Sequence, residues 1–181
     1  MSSVARQFLT FQEYLALEET SVVKHEFVGG VAYAMAGARA SHNRMVARWA
    51  SALEPPARAS GCDTFIADMK LRIGDGVVYY PDLMVCCDET DDDELCRTSP
   101  CLIIEVLSPG TAVIDRREKL NGYLALPSLL TYLIVDPDVP MVEAHSRASP
   151  EQPWNHETHG RHGVISLTCP AVGVDVATLY S

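Results

Sequence analysis

The sequence contains no apolar run that approaches the about 20 residues required of a membrane-spanning helix. Its first ten residues also lack a basic segment followed by an apolar one, which a secretory signal would show. We therefore expect a cytoplasmic protein without a membrane anchor. The 181 residues contain no internal repeat and no linker, and this length suits one core, so a single domain over residues 1–181 is predicted.

Cysteine pairs at metal-binding spacing are also missing. The chain has six cysteines, none in a repeated CxxC pattern, and several lie in apolar runs where cysteine acts as a small hydrophobic residue. Reduced, buried thiols are therefore predicted. The six are Cys62, Cys86, Cys87, Cys96, Cys101 and Cys169.

Positive charge is scarce, with 14 basic against 24 acidic residues and a net charge of −10. This balance argues against broad electrostatic binding of nucleic acid, because neutralising phosphates supplies most non-specific affinity. Six of the acidic residues are concentrated in residues 88–94, however, and account for more than half of the excess. A solvated acidic loop is predicted there, which leaves the remaining surface much closer to neutral.

Local patterns predict an N-terminal helix followed by a β-hairpin. Thr10 stands three residues before Glu13, the spacing of a capping box, so a helix is expected at about 11–19. Two alternating apolar runs then flank Gly29-Gly30, a link that accepts positive φ, which predicts strands at 24–28 and 31–36.

Further helices and strands alternate along the rest of the chain. Ser41 could cap a second helix that Pro55-Pro56 would end, and Thr111 could cap a third through AVIDRREKLNGYLAL. Strands are predicted in TFIADMKLRI, VVYYPDLMVCC, CLIIEVL, TYLIVD and MVEAH. The CLIIEVL run is apolar except at Glu105, which is typical of a central strand covered on both faces, and the whole is an α/β (α+β) pattern.

Two acidic residues interrupt these apolar strands. Asp82 lies within VVYYPDLMV and Glu105 within LIIEVL, and a buried carboxylate needs a partner or a metal ion. If the two strands are adjacent, the carboxylates could converge on a hard divalent cation, which favours oxygen ligands. The alternative is structural, with Asp82 in a turn or ion pair and Glu105 paired with a cation across the sheet.

The segments HEFVGG, YYPDLMV, IIEVLSPGT, DRREKLNGYLALP and YLIVD follow one another in this order. In that order and spacing they resemble the Uma-two family of restriction-endonuclease-like proteins in the PD-(D/E)xK nuclease superfamily. The resemblance covers nearly the whole chain. It implies a central mixed β-sheet flanked by helices, one Mg²⁺ or Mn²⁺ site, and endonuclease activity on DNA.

The resemblance also implies roles for individual residues. Asp82 and Glu105 match the two acidic metal-binding positions, but the place of the superfamily lysine holds Leu107. The resemblance implies that the following helix supplies the lysine, and Lys119 is the matching residue. Its ammonium could orient the attacking water or stabilise developing charge. The alternative for Lys119 is an exposed helical ion pair with Asp115.

Three further residues are candidates around this site. Glu26 matches an early acidic position of the family and could complete the metal shell, or could simply be solvated. His42 could contact phosphate or assist proton transfer, or could make local hydrogen bonds at a helix start. Tyr123 could line the same face as Lys119 or pack in the core.

The triplet His156, His159 and His162 suggests zinc by its spacing, but without a cysteine pair or helical pattern a solvated loop is the better interpretation.

Two rival functions remain open: a non-catalytic dimeric binding or regulatory module, and a hydrolase of a small phosphodiester. A homodimer is also expected. A basic rim for nucleic acid could come from the arginines Arg39, Arg44, Arg48, Arg116 and Arg117.

Overall fold

The computed structural model describes residues 8–108 and 118–181. Its helices are α1 (Phe11–Thr20), α2 (Ala40–Ala59), α3 (Leu120–Leu124) and α4 (Val176–Leu179). The first seven strands are β1 (His25–Val28), β2 (Val31–Ala34), β3 (Asp63–Ile66), β4 (Lys70–Ile73), β5 (Val77–Tyr79), β6 (Leu83–Cys86) and β7 (Cys96–Arg97). The others are β8 (Pro100–Val106), β9 (Thr131–Val135), β10 (Met141–Ser146), β11 (Asn155–Gly160), β12 (Val164–Thr168) and β13 (Ala171–Asp175).

A six-stranded sheet of order β11-β10-β9-β8-β6-β3 forms the centre of the molecule. Its β8–β9 pair is parallel and its other pairs are antiparallel, so the sheet is mixed. A second sheet has the order β2-β1-β5-β4-β7, and β12 and β13 form a two-stranded sheet. The predicted mixed sheet with flanking helices is confirmed.

The two faces of β8 pack against different parts of the chain. Leu102, Ile104 and Val106 join the core that contains α2, β12, β13 and α4, whereas Ile103 joins the core that contains α3 and side chains of β4 and β5. This alternation follows from the two-residue period of a strand. It places Glu105 on the same face as Ile103, towards α3.

The N-terminal predictions are confirmed. Thr10 and Glu13 make both hydrogen bonds of the capping box at the start of α1. Gly29 and Gly30 adopt φ values of 56° and 87° and connect β1 to β2 as an antiparallel hairpin. These conformations need glycine, because a Cβ would be strained at positive φ.

The predicted bounds of the second helix are wrong. Arg39, rather than Ser41, is the N-cap, and it makes no side-chain capping bond. The helix also continues through Pro55-Pro56 to Ala59. Because Leu53 and Ala57 on either side of the prolines are fully buried in the core, their packing offsets the hydrogen bonds that the prolines cannot donate.

Two predicted strands are each split between different sheets. TFIADMKLRI contains β3 and β4, separated by a bend in which Ala67 has a φ of 50°. VVYYPDLMVCC contains β5 of the second sheet and β6 of the central sheet, so Asp82 lies between strands rather than inside one. Pro81, which lacks a backbone donor, fits this crossing point.

The prediction of reduced thiols is wrong for four of the six cysteines. Cys62 is bonded to Cys87 and Cys101 to Cys169, and the two disulfides span 25 and 68 residues. Cys86 and Cys96 are free. Pairing of β3 with β6 brings Cys62 to Cys87, whereas Cys169 reaches Cys101 from the turn between β12 and β13, which pack on the same core.

The predicted third helix is described only from residue 118 onward. Its proposed cap Thr111 and its residue Ile114 lie outside the described residues, while α3 covers Leu120–Leu124. The strands predicted in TYLIVD and MVEAH are confirmed as β9 and β10. No helix in the described ranges combines the length and apolar character needed to cross a membrane.

Candidate active site

Asp82 lies at the end of β8, although it belongs to the segment that enters β6. Leu83 pairs with Ile104 in the antiparallel β6–β8 register, which brings Asp82 beside the last residues of β8. The backbone N–H of Val106 donates to Oδ2 of Asp82 over 2.8 Å. The carboxylate is therefore anchored to the residue that follows Glu105.

His42 makes a second contact to the same carboxylate oxygen. Its Nε2 lies 3.1 Å from Oδ2 of Asp82, and both side chains are half-buried. His42 is in the first turn of α2, so this contact joins the N-terminal end of the helix to the segment between β5 and β6. The predicted alternative of a purely local role at a helix start is excluded by this long-range contact.

Glu105 is held by two donors inside the protein. Glu105 is only 3% exposed and belongs to β8, an inner strand of the six-stranded sheet. Oε1 accepts a hydrogen bond from Nζ of Lys119 over 3.0 Å and one from the hydroxyl of Tyr123 over 2.7 Å. These bonds satisfy the requirement that a buried carboxylate be paired.

Lys119 is buried and belongs to the same cluster. It precedes α3, is 4% exposed, and places Nζ 2.8 Å from Oε1 of Glu26 as well as beside Glu105. The ring centroid of Tyr79 is 5.4 Å from the same ammonium, within the range of a cation–π contact. The alternative of an exposed lysine is therefore wrong, while its proposed partner Asp115 lies outside the described residues.

Glu26 comes from the N-terminal hairpin. It pairs with Tyr33 in the β1–β2 register and is half-buried, with its carboxylate against the Lys119 ammonium. Simple solvation is thus excluded for Glu26. The ammonium of Lys119 joins the hairpin to the central sheet through two carboxylates.

Tyr123 combines the two roles considered for it. It is fully buried, its ring packs edge-on against Tyr79 and Tyr132, and its hydroxyl donates to Glu105. Burial, followed by the charge of Glu105, raises its pKa well above the ordinary value of 10.0. Tyr123 therefore keeps its proton and remains a donor to the carboxylate.

The site residues form two adjoining groups. One group consists of Glu26, Glu105, Lys119 and Tyr123, and the other of Asp82 and His42. The two are linked through Val106, which follows Glu105 and donates its backbone N–H to Asp82. The three carboxylates do not meet as tightly as a closed ligand cage. Among the described residues, one group of potential metal ligands has all its ligand atoms within 4.8 Å of one another. That group consists of Cys62, Cys87 and Cys169 and contains no carboxylate.

Comparison with known proteins assigns the chain to a family. The Uma2 family model, described as "Putative restriction endonuclease", matches residues 11–177. This chain belongs to the Uma2 family. The assignment confirms the resemblance predicted from the five ordered segments.

Two relatives of this Uma2 chain come from Synechocystis sp. Uncharacterized protein sll1609 is 34% identical over 166 residues, which cover 90% of this chain and 94% of that protein. Uncharacterized protein slr1290 is 36% identical over 129 residues, or 70% of this chain and 68% of the relative. A crystal structure from Anabaena variabilis, titled a "putative nuclease belonging to DUF820", has a TM-score of 0.76 at 17% identity. The structural match covers 95% of this chain and 97% of the Anabaena chain, which shows a common fold.

The predicted basic rim of the Uma2 chain is only partly available. Arg48 donates to the backbone oxygens of Leu179 and Ser181, over 2.8 and 2.7 Å, so it anchors the C-terminal helix instead. Arg39 is exposed and lines a small cleft with His42, and Arg44 is exposed on α2. Arg116 and Arg117 lie outside the described residues.

Two of the three histidines are in a strand rather than in the predicted loop, whereas His162 lies in the exposed turn that follows it, as predicted. His156 and His159 belong to β11, which pairs with β10, and His156 stacks on His145 with ring centroids 4.4 Å apart. The loop prediction is wrong for His156 and His159 because HETHGRH has no apolar alternation, and β11 forms by pairing with β10. In the described ranges, none of the three histidines joins a compact set of metal ligands.

Sequence reasoning missed Tyr79 as a site residue. Its ring packs on the Lys119 ammonium and on Tyr123, and burial, with a smaller contribution from Glu26, raises its pKa to about 12. The available signal was its position three residues before Asp82. An aromatic residue in an apolar strand is usually core, however, and Tyr79 is core as well.

Proposed function

We propose that this Uma2 protein is a metal-dependent endonuclease that hydrolyses DNA phosphodiester bonds. The observation that carries the proposal is the buried Lys119–Glu105 pair beside the anchored Asp82 carboxylate. A buried ammonium next to carboxylates at a sheet end is a costly arrangement, and such groups concentrate at functional sites. The family description supports nuclease chemistry for the chain.

The chemistry of the oxygen donors, rather than a preformed cage, suits a hard divalent cation such as Mg²⁺ or Mn²⁺. Asp82 and Glu105, supplemented by Glu26, offer carboxylate oxygens, the ligands that these ions prefer. A divalent cation would add positive charge beside these carboxylates, two of which contact the Lys119 ammonium. When bound, the ion would polarise the scissile phosphate and lower the pKa of a coordinated water.

The chain's own residues would position and neutralise the reacting groups. Lys119 carries a positive charge beside the proposed metal ligands, where it could hold the attacking water or stabilise the charge that develops on the phosphate. Tyr123 and Lys119 fix Oε1 of Glu105, and His42 with the Val106 N–H fixes Asp82. Such outer contacts orient metal ligands before the ion binds.

A net charge of −10 and the engagement of Arg48 with the C-terminus leave few cations for long duplex DNA. These observations favour a small phosphodiester as the second candidate. Rates on plasmid, single-stranded DNA and a generic aryl phosphodiester, measured in Mn²⁺, separate the two: the endonuclease proposal requires nicking of plasmid.

The decisive experiment is Mn²⁺-supported plasmid nicking by wild type and by Asp82→Asn, Glu105→Gln and Lys119→Met. Each variant should lose at least about 100-fold in rate, whereas Asp92→Asn in the exposed acidic loop should match wild type. Equal nicking by all five proteins would show a contaminating nuclease and refute the proposal.

Calorimetry with Mn²⁺ tests the metal site without relying on activity. Binding heat that disappears in Asp82→Asn and persists in Asp92→Asn is expected. A wild type that neither binds Mn²⁺ nor nicks DNA would indicate the non-catalytic module instead. The homodimer stays a prediction, which sedimentation equilibrium measures directly.

A further inference from the structure

Four cysteines meet at the end of the central sheet opposite to Asp82 and Glu105. Asp82 directly precedes β6 and Cys87 directly follows it, so the strand separates the candidate active site from this cluster. Cys62 precedes β3, Cys101 lies at the start of β8, and Cys169 is in the turn between β12 and β13. The cluster is therefore independent of the proposed nuclease site.

The two disulfides lie against each other. Sγ of Cys87, bonded to Cys62, is 3.2 Å from Sγ of Cys169 and 3.6 Å from Sγ of Cys101. The sulfur atoms of Cys62, Cys87 and Cys169 all lie within 4.8 Å of one another. Cys101 adjoins these three through its contact with Cys87 and its bond to Cys169, so sulfurs from four separate segments lie together.

The surroundings of the group are apolar. Cys62 is 6% exposed and Cys101 is 8% exposed, and Cys87 and Cys169 pack against the core that α2 covers. The neighbouring Cys86 belongs to the core on the other face of the sheet, because successive residues of a strand point to opposite faces. Cys86 is therefore excluded from the group.

We propose that Cys62, Cys87, Cys101 and Cys169 form a redox-dependent zinc site, with two disulfides when oxidised and four thiolates around one Zn²⁺ when reduced. A dithiol reductant would supply two electrons and two protons to each disulfide and would itself become a disulfide. Zn²⁺ then replaces the four thiol protons, which are released to solvent.

The distances suit this change of state. Tetrahedral zinc with Zn–S bonds of about 2.3 Å separates its sulfurs by about 3.8 Å. The contacts of 3.2 and 3.6 Å between the disulfides are already close to that value. Thiolates also favour Zn²⁺ over the hard cations of the nuclease proposal, so the two sites select different metals. In both states the same four segments stay joined.

Cobalt binding tests the proposal, because Co²⁺ in a thiolate site has an intense charge-transfer band and tetrahedral d–d bands. The full-length chain, reduced with a phosphine and handled without oxygen, should bind one Co²⁺ with these bands. Zn²⁺ should displace the cobalt, and the oxidised chain should show neither band. The absence of a thiolate band in the reduced wild type, whether it is folded or unfolded by circular dichroism, overturns the proposal.

Cysteine variants assign the site. Cys87→Ser and Cys169→Ser should each weaken Co²⁺ binding at least about 10-fold and reduce the charge-transfer intensity. Cys96→Ser is the matched control, since Cys96 is free and outside the group, and should bind like wild type. Loss of the band in Cys96→Ser, or full retention in both other variants, would also overturn the assignment.

Discussion

Replacing Lys119 by methionine tests whether the buried ammonium balances the carboxylates around it. Nζ lies 3.0 Å from Glu105 and 2.8 Å from Glu26, and each attraction amounts to about 5 to 6 kcal/mol at an effective dielectric constant near 20. Desolvation of the three groups offsets much of this. The variant removes the cation that these two carboxylates share, so a loss of about 3 to 5 kcal/mol in the free energy of unfolding is expected.

Urea unfolding followed by circular dichroism measures this loss, in oxidised protein and with a chelator present. Lys24→Met is the matched control, because Lys24 pairs with Asp68 on the exposed surface and should change stability by less than about 1 kcal/mol. The double variant Lys119→Met/Glu105→Gln should recover part of the loss, since it also removes the negative charge that Lys119 contacts on Glu105. A Lys119→Met variant as stable as Lys24→Met would refute the electrostatic argument.

Three further outcomes are expected. His42→Ala should weaken Mn²⁺ binding about 10- to 100-fold in calorimetry, because Asp82 loses a contact that orients it; unchanged affinity would remove His42 from the site. Tyr123→Phe should lower the free energy of unfolding by about 1.5 to 3 kcal/mol in urea titrations, since it deletes a buried hydrogen bond to the charged Glu105. Burial raises the pKa of Tyr79 to about 12, so the stability that comes from its protonated form is complete below pH 10 and is lost as the pH rises towards 12. Spectrophotometric pH titration of wild type and of Tyr79→Phe measures the ionisation of Tyr79 as the difference between the two proteins. Ionisation of Tyr79 near pH 10 would contradict the raised pKa.

Local signals determined the parts of the fold that were predicted correctly. The capping box at Thr10 and the glycine pair after β1 act over a few residues, so they are visible without knowledge of the tertiary structure. The buried strand around Glu105 was visible because its apolar run has one polar interruption. Long-range contacts decided the parts that were missed.

The prolines of α2 illustrate a tertiary effect that overrides local preference. Pro55 and Pro56 predict a helix end, yet burial of Ala57 keeps the chain helical to Ala59. The disulfides are a second example, because their pairing depends on how distant strands and turns pack together and not on cysteine spacing.

The candidate site was found through an unusual pair of acidic residues and a family resemblance. The resemblance named Lys119, since a lysine in a helical segment carries no signal of burial by itself. The contact of Glu26 with this lysine depends on how the hairpin packs, which the hairpin sequence does not specify. The link from Val106 to Asp82 is a backbone bond, so no side-chain pattern could indicate it.

The sharing of one ammonium between β1 and β8 limits how far this protein can be shortened. A fragment that begins at α2 would keep Asp82, Glu105 and Lys119 but would lose Glu26, and the amine would keep only one of these two carboxylate partners. The N-terminal hairpin is thus part of the smallest unit that can hold the amine in place, although it contributes no strand to the central sheet.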